Sequence, residues 1–287
     1  MIAILAALWR ILFLTAAAPV MGSVLMLAIA RLTGARWDAL SPIARAAPLL
    51  MLAALFGPAQ LGSPPPDHLA LWLAWWAVGL RGLAAGALLA LAGAQLLRGA
   101  GETFAAITLA LYTVSVTPIA SDWMLGQAPG HPVSAIGMML FVESVGGAAA
   151  LALALDRGEL PFRRDMAKLL VAAALGLGYL AFMDFLIVWF GNLPSRVDFY
   201  LQRGTPAMVV VAAAALALGV AAPIALLALV EGERGRRGAG FAALAGLFLF
   251  NAWWVAGGVA ALLLAVLVAG VGCLLVIHMR SGAPAHG

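Results

Sequence analysis

The chain has 287 residues, of which 65% are hydrophobic and only 10% are Asp, Glu, Lys or Arg. A soluble domain is near a quarter charged and needs polar side chains to cover its surface. A soluble enzyme, a secreted binding domain and a disordered segment are therefore excluded. The composition predicts an all-α, polytopic transmembrane helical bundle forming one integral membrane domain over residues 1–287. The net charge of +4 sits mainly at the ends of apolar runs, where basic residues mark topology, and gives no reason to expect nucleic acid as a partner. Cys273 is the single cysteine, which excludes an internal disulfide and Cys-rich iron–sulfur or zinc sites. No cleavable signal peptide is expected, because the first apolar run continues past signal-peptide length.

In chain order, the apolar runs predict helices near Leu5–Leu32, Ala46–Leu61, Leu69–Leu97, Thr103–Leu125, Pro132–Leu155, Met166–Phe190 and Pro206–Val230. The last run, Gly240–Met279, is too long for one simple span. Asn251 and Gly257-Gly258 favour two helices joined by a tight turn, nine in all; one long tilted helix, eight in all, is the alternative. Pro48 and Pro58 blur the ends of the second helix. Small residues such as Gly82, Gly86, Gly146 and Gly147 suit close helix packing in lipid.

The charges fall in alternate loops. Arg31, Arg36 and Arg45 follow the first helix, Arg98 the third, Arg157, Arg163, Arg164 and Lys168 the fifth, and Arg234, Arg236 and Arg237 the seventh. The positive-inside rule then places the N-terminus outside and the odd-numbered loops in the cytoplasm. The other loops hold only Arg196 and Arg203 besides acids, and Arg10 is an exception near the start of the first helix, where it is expected to snorkel.

Three ionisable side chains fall inside spans, where charge is costly. Arg81 is twelve residues past Leu69 and Glu143 twelve past His131, so both are expected about 18 Å from the outer helix ends. That matched depth suggests a salt bridge, either purely structural or part of a proton relay. Asp184 lies about 9 Å below the outer end of the sixth helix, as a proton-transfer group or as a hydrogen bond to a neighbour. The fourth helix carries Tyr112, Thr113, Ser115, Thr117 and then Pro118, with Asp122 and His131 flanking a short outer loop. Pro118 is expected to kink the helix, and the hydroxyls either satisfy freed backbone groups or line a wet path. A quinone head group needs hydrogen-bond partners and an apolar path for its tail. Asp122, His131 and Asp184, all expected near outer ends, are the residues proposed to gather there.

Several segments carry a family likeness. They are Gly22–Leu27 with Leu32-Thr33-Gly34-Ala35-Arg36-Trp37; Ser121-Asp122-Trp123-Met124-Leu125 with Pro129, His131 and Ser134; and Phe185-Leu186-Ile187-Val188-Trp189-Phe190-Gly191-Asn192-Leu193-Pro194 with Tyr200 and Arg203. In order and spacing these resemble the polysulfide-reductase-membrane-subunit-like proteins of alternative complex III, the quinol-oxidising respiratory complex, and among them the proton-path type. Ser195-Arg196 stands where that pattern has two acids, and Arg31 stands where it often has His.

The resemblance implies about ten helices around two four-helix bundles, set beside haem- and iron–sulfur-bearing subunits. It implies no metal and no covalently bound cofactor, with quinone or quinol as the candidate ligand. Glu143, Asp184 and Arg81 become the candidate catalytic residues. Asp122, His131, Ser134, Tyr112 and Ser115 become candidates for a quinone site or proton path. Trp189, Asn192 and Pro194 are expected to hold the outer end of the sixth helix. A purely structural anchor for redox subunits and a small-solute transporter are the alternatives; a transporter would show matched broken helices in two repeats, and no convincing match is visible.

Overall fold

The computed structural model describes residues 2–59, 67–125, 133, 135–156, 158–191, 194–255 and 266. Those residues form nine helical elements and no strand: α1 (Ile2–Thr33), α2 (Asp38–Pro58), α3 (Trp75–Leu97), α4 (Glu102–Leu125), α5 (Ile136–Ala154), α6 (Leu160–Gly191), the short α7 (Pro194–Gln202), α8 (Pro206–Leu229) and α9 (Gly232–Val255). All except α7 are long and apolar enough to cross a membrane. Residues 256–265, where a turn to a further helix was expected, lie outside the described residues.

Four of the expected boundaries move. The second span starts at Asp38, ahead of Ala46, and is a series of short α and 3₁₀ turns. Pro42 and Pro48 stand in the first positions of two of these turns, where the missing N–H costs nothing. The third span begins at Trp75, well past Leu69, with a separate 3₁₀ turn at Asp67–Leu69. The sixth starts at Leu160 and the last at Gly232, because amphipathic and charged turns extend both helices at the face opposite the N-terminus.

The helices group as two bundles of four. The first comprises α1, α2, α3 and α4, and the second α5, α6, α8 and α9. The two bundles meet where α1 packs on α5 and α9, and where α4 packs on α5. Helices α1 and α5 are the most enclosed, while α6 and α8 mostly face outward. In lipid the apolar effect does not drive helices together, so close backbone approach must supply the contact. A Cβ on Gly22 would lie 1.8 Å from the Ser144 carbonyl oxygen, and one on Gly147 3.1 Å from the Pro19 nitrogen. Between α2 and α3, Gly82 and Gly86 admit the carbonyls of Ala53 and Leu50, at 2.4 and 2.3 Å from the missing Cβ positions. Between α5 and α9, Gly240 admits the Ala150 carbonyl at 2.5 Å.

These contacts are testable by adding one methyl group. Gly22→Ala is expected to destabilise the purified protein by about 1–3 kcal/mol, through overpacking against backbone that cannot move aside. Gly176→Ala, whose nearest neighbour would be Val142 at 3.4 Å, is expected to be neutral or mildly stabilising. Thermal unfolding in the same detergent compares the two.

Candidate functional site

Two groups of polar side chains lie inside the first bundle and across the junction. The outer group, on the face that carries the N-terminus, is built by α1, α3 and α4. Helix α4 ends in a π turn, Ser121–Leu125, three residues after Pro118. Such turns break the regular ladder and recur at functional sites. The Ser121 hydroxyl donates to the Thr117 carbonyl of its own helix at 2.8 Å, which is not the Val114 carbonyl that Pro118 leaves without its donor. The turn buries Asp122, which accepts from Arg81 Nε at 2.6 Å and Nη2 at 2.8 Å. Arg81 also donates to the Trp72 carbonyl at 2.6 Å and stacks on the Trp72 ring, with Cζ 4.1 Å from its centroid.

The expected pair between Arg81 and Glu143 is not made. Because α3 starts at Trp75, Arg81 is near its helix end and reaches outward to Asp122. Both Glu143 oxygens are buried without a hydrogen bond. Arg10 does not snorkel. It is fully buried within electrostatic reach of Asp122, its Cζ is 5.3 Å from the Phe56 ring centroid, and none of its guanidinium nitrogens is hydrogen-bonded. The sequence signal for this was available: an arginine well inside the first apolar run, ten residues from its start.

The inner group joins α4, α5 and α9. Glu143 is enclosed on α5 and Asn251 on α9. Asn251 stands beside the Glu143 carboxyl, and none of the four side-chain polar atoms of the two residues is hydrogen-bonded. Tyr112 on α4 is within electrostatic reach of Glu143 and beside Ser144. Its hydroxyl is buried and makes no hydrogen bond, and Ser144 donates to the Leu140 carbonyl at 2.7 Å. Ser115 donates to the Leu111 carbonyl at 2.7 Å and is tied to its own helix. A cavity of about 30 Å³ adjoins Glu143, walled mainly by Gly146, Ala150, Ala173, Ala174 and Leu247.

A third feature lies on the N-terminal face of the second bundle. The Tyr200 hydroxyl on α7 donates to Asp184 Oδ2 at 2.5 Å, joining α7 to α6. Burial, and then that hydrogen bond, push the Tyr200 hydroxyl above the ordinary phenol range. Arg203 donates to the carbonyls of Trp253 at 2.9 Å, Trp254 at 2.8 Å and Phe199 at 3.1 Å, and so caps the end of α9. Burial pushes its guanidinium down to about 10. Beside these residues is a cavity of about 400 Å³ with aromatic walls from Phe182, Phe185, Tyr200, Phe250, Trp253 and Trp254.

Asp122 and Asp184 thus serve separate clusters, one facing Arg81 and the other Tyr200. His131, Ser134 and Asn192 lie outside the described residues, and so does the gathering expected around His131. Pro194 opens α7. Trp189 is 70% exposed and touches Phe185 of its own helix at 5.7 Å between ring centroids, a placement typical of interfacial aromatic belts. Asn251, Tyr200, Arg203 and Arg10 were not read as site residues from the sequence. Among the described residues, no three His, Cys, Asp or Glu side chains group as metal ligands. No family model matches the chain, and no curated protein is significantly similar to it.

The outer cluster holds two guanidiniums for one carboxylate. Asp122→Asn is therefore expected to cost about 3 kcal/mol or more, since it leaves both cations uncompensated. Arg10→Met is expected to cost less, and to recover part of the loss in the Asp122→Asn background. A double-mutant cycle on unfolding free energy reads both; a more damaging Arg10→Met would contradict this account.

Proposed function

We propose that the chain is an integral membrane subunit of a quinone-linked respiratory electron-transfer complex. It contributes a proton route and a quinone pocket, while haem- and iron–sulfur-bearing partners carry the electrons. The observation that carries this reading is the enclosed Glu143 carboxyl, with neither oxygen bonded and with Asn251, Tyr112 and a cavity beside it. Carboxyls inside a membrane are costly and usually mark ion or proton pathways. A carboxyl locked in a salt bridge to Arg81 would have suited a scaffold; a carboxyl with open hydrogen-bonding capacity suits proton exchange.

The aromatic cavity near Tyr200 supports the quinone half of the proposal. Its walls suit a planar ring and an apolar tail, and they include Arg203 and Tyr200, whose hydroxyl donates to Asp184. The family likeness of the segments around Asp122 and Phe185–Pro194 points the same way, toward a bacterial cytoplasmic membrane, and the alternating arginine clusters favour a periplasmic N-terminus. Quinol oxidation sends electrons to the partners and leaves protons to be moved, which is the work assigned to Glu143.

Purification of the tagged protein from its native membrane in mild detergent tests this reading. Co-purifying subunits by mass spectrometry, haem absorbance and extractable quinone are expected. In that complex, Glu143→Gln should lower quinol turnover by about a hundredfold, the range of a lost acid–base group, without changing subunit composition. A colourless, quinone-free protein that is stable alone would overturn the assignment.

A further inference from the structure

Glu143 and Asn251 together bury four side-chain polar atoms, and none is hydrogen-bonded. Buried polar groups are almost always paired, and each orphan costs about 1–3 kcal/mol. The two residues are brought together by backbone packing: Gly240 of α9 lies against Ala150 and Ala154 of α5. With the helices antiparallel, Asn251 comes level with Glu143. A turn of the Asn251 amide satisfies one carboxyl oxygen and leaves the other.

The cavity adjoining Glu143 supplies what is missing. Its volume of about 30 Å³ exceeds the roughly 10–15 Å³ that a water needs. A buried water also needs more than one polar partner. Gly219 borders the cavity from a π turn of α8, Ala217–Ala221. Two residues after that turn comes Pro223, which has no N–H to give the Gly219 carbonyl, its acceptor in a regular α-helix. The cavity is thus bordered by Glu143 on α5 and by Gly219 of the α8 π turn, with small or apolar side chains between.

We propose that Asn251 positions the Glu143 carboxyl by donating a hydrogen bond to one oxygen, and that the other oxygen bonds an ordered water held in this cavity against the α8 π turn. The water is the proton's exchange partner. The carboxyl O–H bond breaks as the water oxygen takes the proton, and a proton from the same water re-forms it, so no net charge moves in simple exchange. Asn251 is a positioning residue here, and the proposal rests on reading Glu143 as the proton-carrying group.

Infrared spectroscopy of the full-length protein in lipid, transferred from H2O to D2O, tests the arrangement. The Glu143 carbonyl stretch is assigned by its loss in Glu143→Gln. In Asn251→Leu the band should move to higher frequency, since one hydrogen bond is gone. The variant should remain folded, because it also removes two orphan atoms. In Ala174→Val, which fills the cavity, the band should keep its position, and its deuterium shift should develop at least about tenfold more slowly, equal to ~1.4 kcal/mol in barrier. Ala173→Val is the second cavity-filling variant, should Ala174→Val not fold. A band that ignores Asn251→Leu, or an exchange rate unchanged by both cavity-filling variants, overturns the water site and leaves Glu143 as a proton carrier. A wild-type protein with no exchanging Glu143 band overturns both.

Discussion

The backbone contact between α1 and α5 sets the spacing on which the interior depends. Lipid tails are as apolar as leucine, so burial alone gives α1 no reason to prefer a helix over the bilayer. Gly22 and Gly147 remove the side chains that would hold the two backbones apart, and the Ser144 carbonyl and Pro19 ring fill the vacated space. The same device recurs between α2 and α3 at Gly82 and Gly86, and between α5 and α9 at Gly240. With α5 fixed on both sides, Glu143 faces Asn251 and Tyr112 with little freedom to move. Dispersion at close range, added over many small-residue contacts, thus offsets the cost of enclosing those polar atoms.

The two polar clusters solve the problem of buried charge differently. In the outer one, Asp122 is held in a bidentate fork by Arg81, the strong form of ion pair. Arg81 keeps about a quarter of its side chain exposed, at 27%, so the pair is only partly desolvated. Arg10 has no such relief. Its stacking on Phe56 is worth about 0.5–2 kcal/mol, less than the cost of a buried guanidinium with no acceptor. The field of Asp122 supplies the difference, which makes that carboxylate the keystone for both cations. In the inner cluster no cation is present among the described residues, and the carboxyl must be satisfied by neutral partners.

Much of the fold was legible in the sequence because the bilayer demands long apolar runs. Eight of the nine spans expected are seen among the described residues, the ninth falling outside them, and the alternating arginine clusters mark the same loop ends that the helices now show. The second span was misjudged in extent because Pro42 and Pro48 restart short turns without ending the apolar segment. The depth of Arg81 was misjudged because Leu69–Ala74 is apolar yet not part of α3, so composition could not place the helix start. That error of one and a half turns changed its partner from Glu143 to Asp122. Asn251 was read as a sign of a helix break, yet α9 continues through it to Val255. Its pairing with Glu143 depends on the α5–α9 register, which hydropathy does not encode. Arg203 likewise acts on carbonyls fifty residues away, a contact no local pattern announces.

The two π turns connect these clusters to the chain's chemistry. One follows Pro118 and presents Asp122 to Arg81; the other precedes Pro223 and borders the cavity at Glu143. A proline in a span removes a donor where water cannot replace it. The helix must then shift its bonding register or find another group for the orphan carbonyl. After Pro118 the helix shifts into the π turn that carries Asp122, and the outcome is a bidentate ion pair. At Pro223 no hydroxyl side chain stands in the π turn or the helix that follows it, Ala217–Leu229, and the neighbouring space is a cavity. The same backbone defect therefore has different consequences: a fixed ion pair where the π turn presents Asp122 to Arg81, and a cavity where the π turn carries only small and apolar residues. That contrast is the physical reason to assign exchange to the Glu143 side of the molecule and rigidity to the Asp122 side.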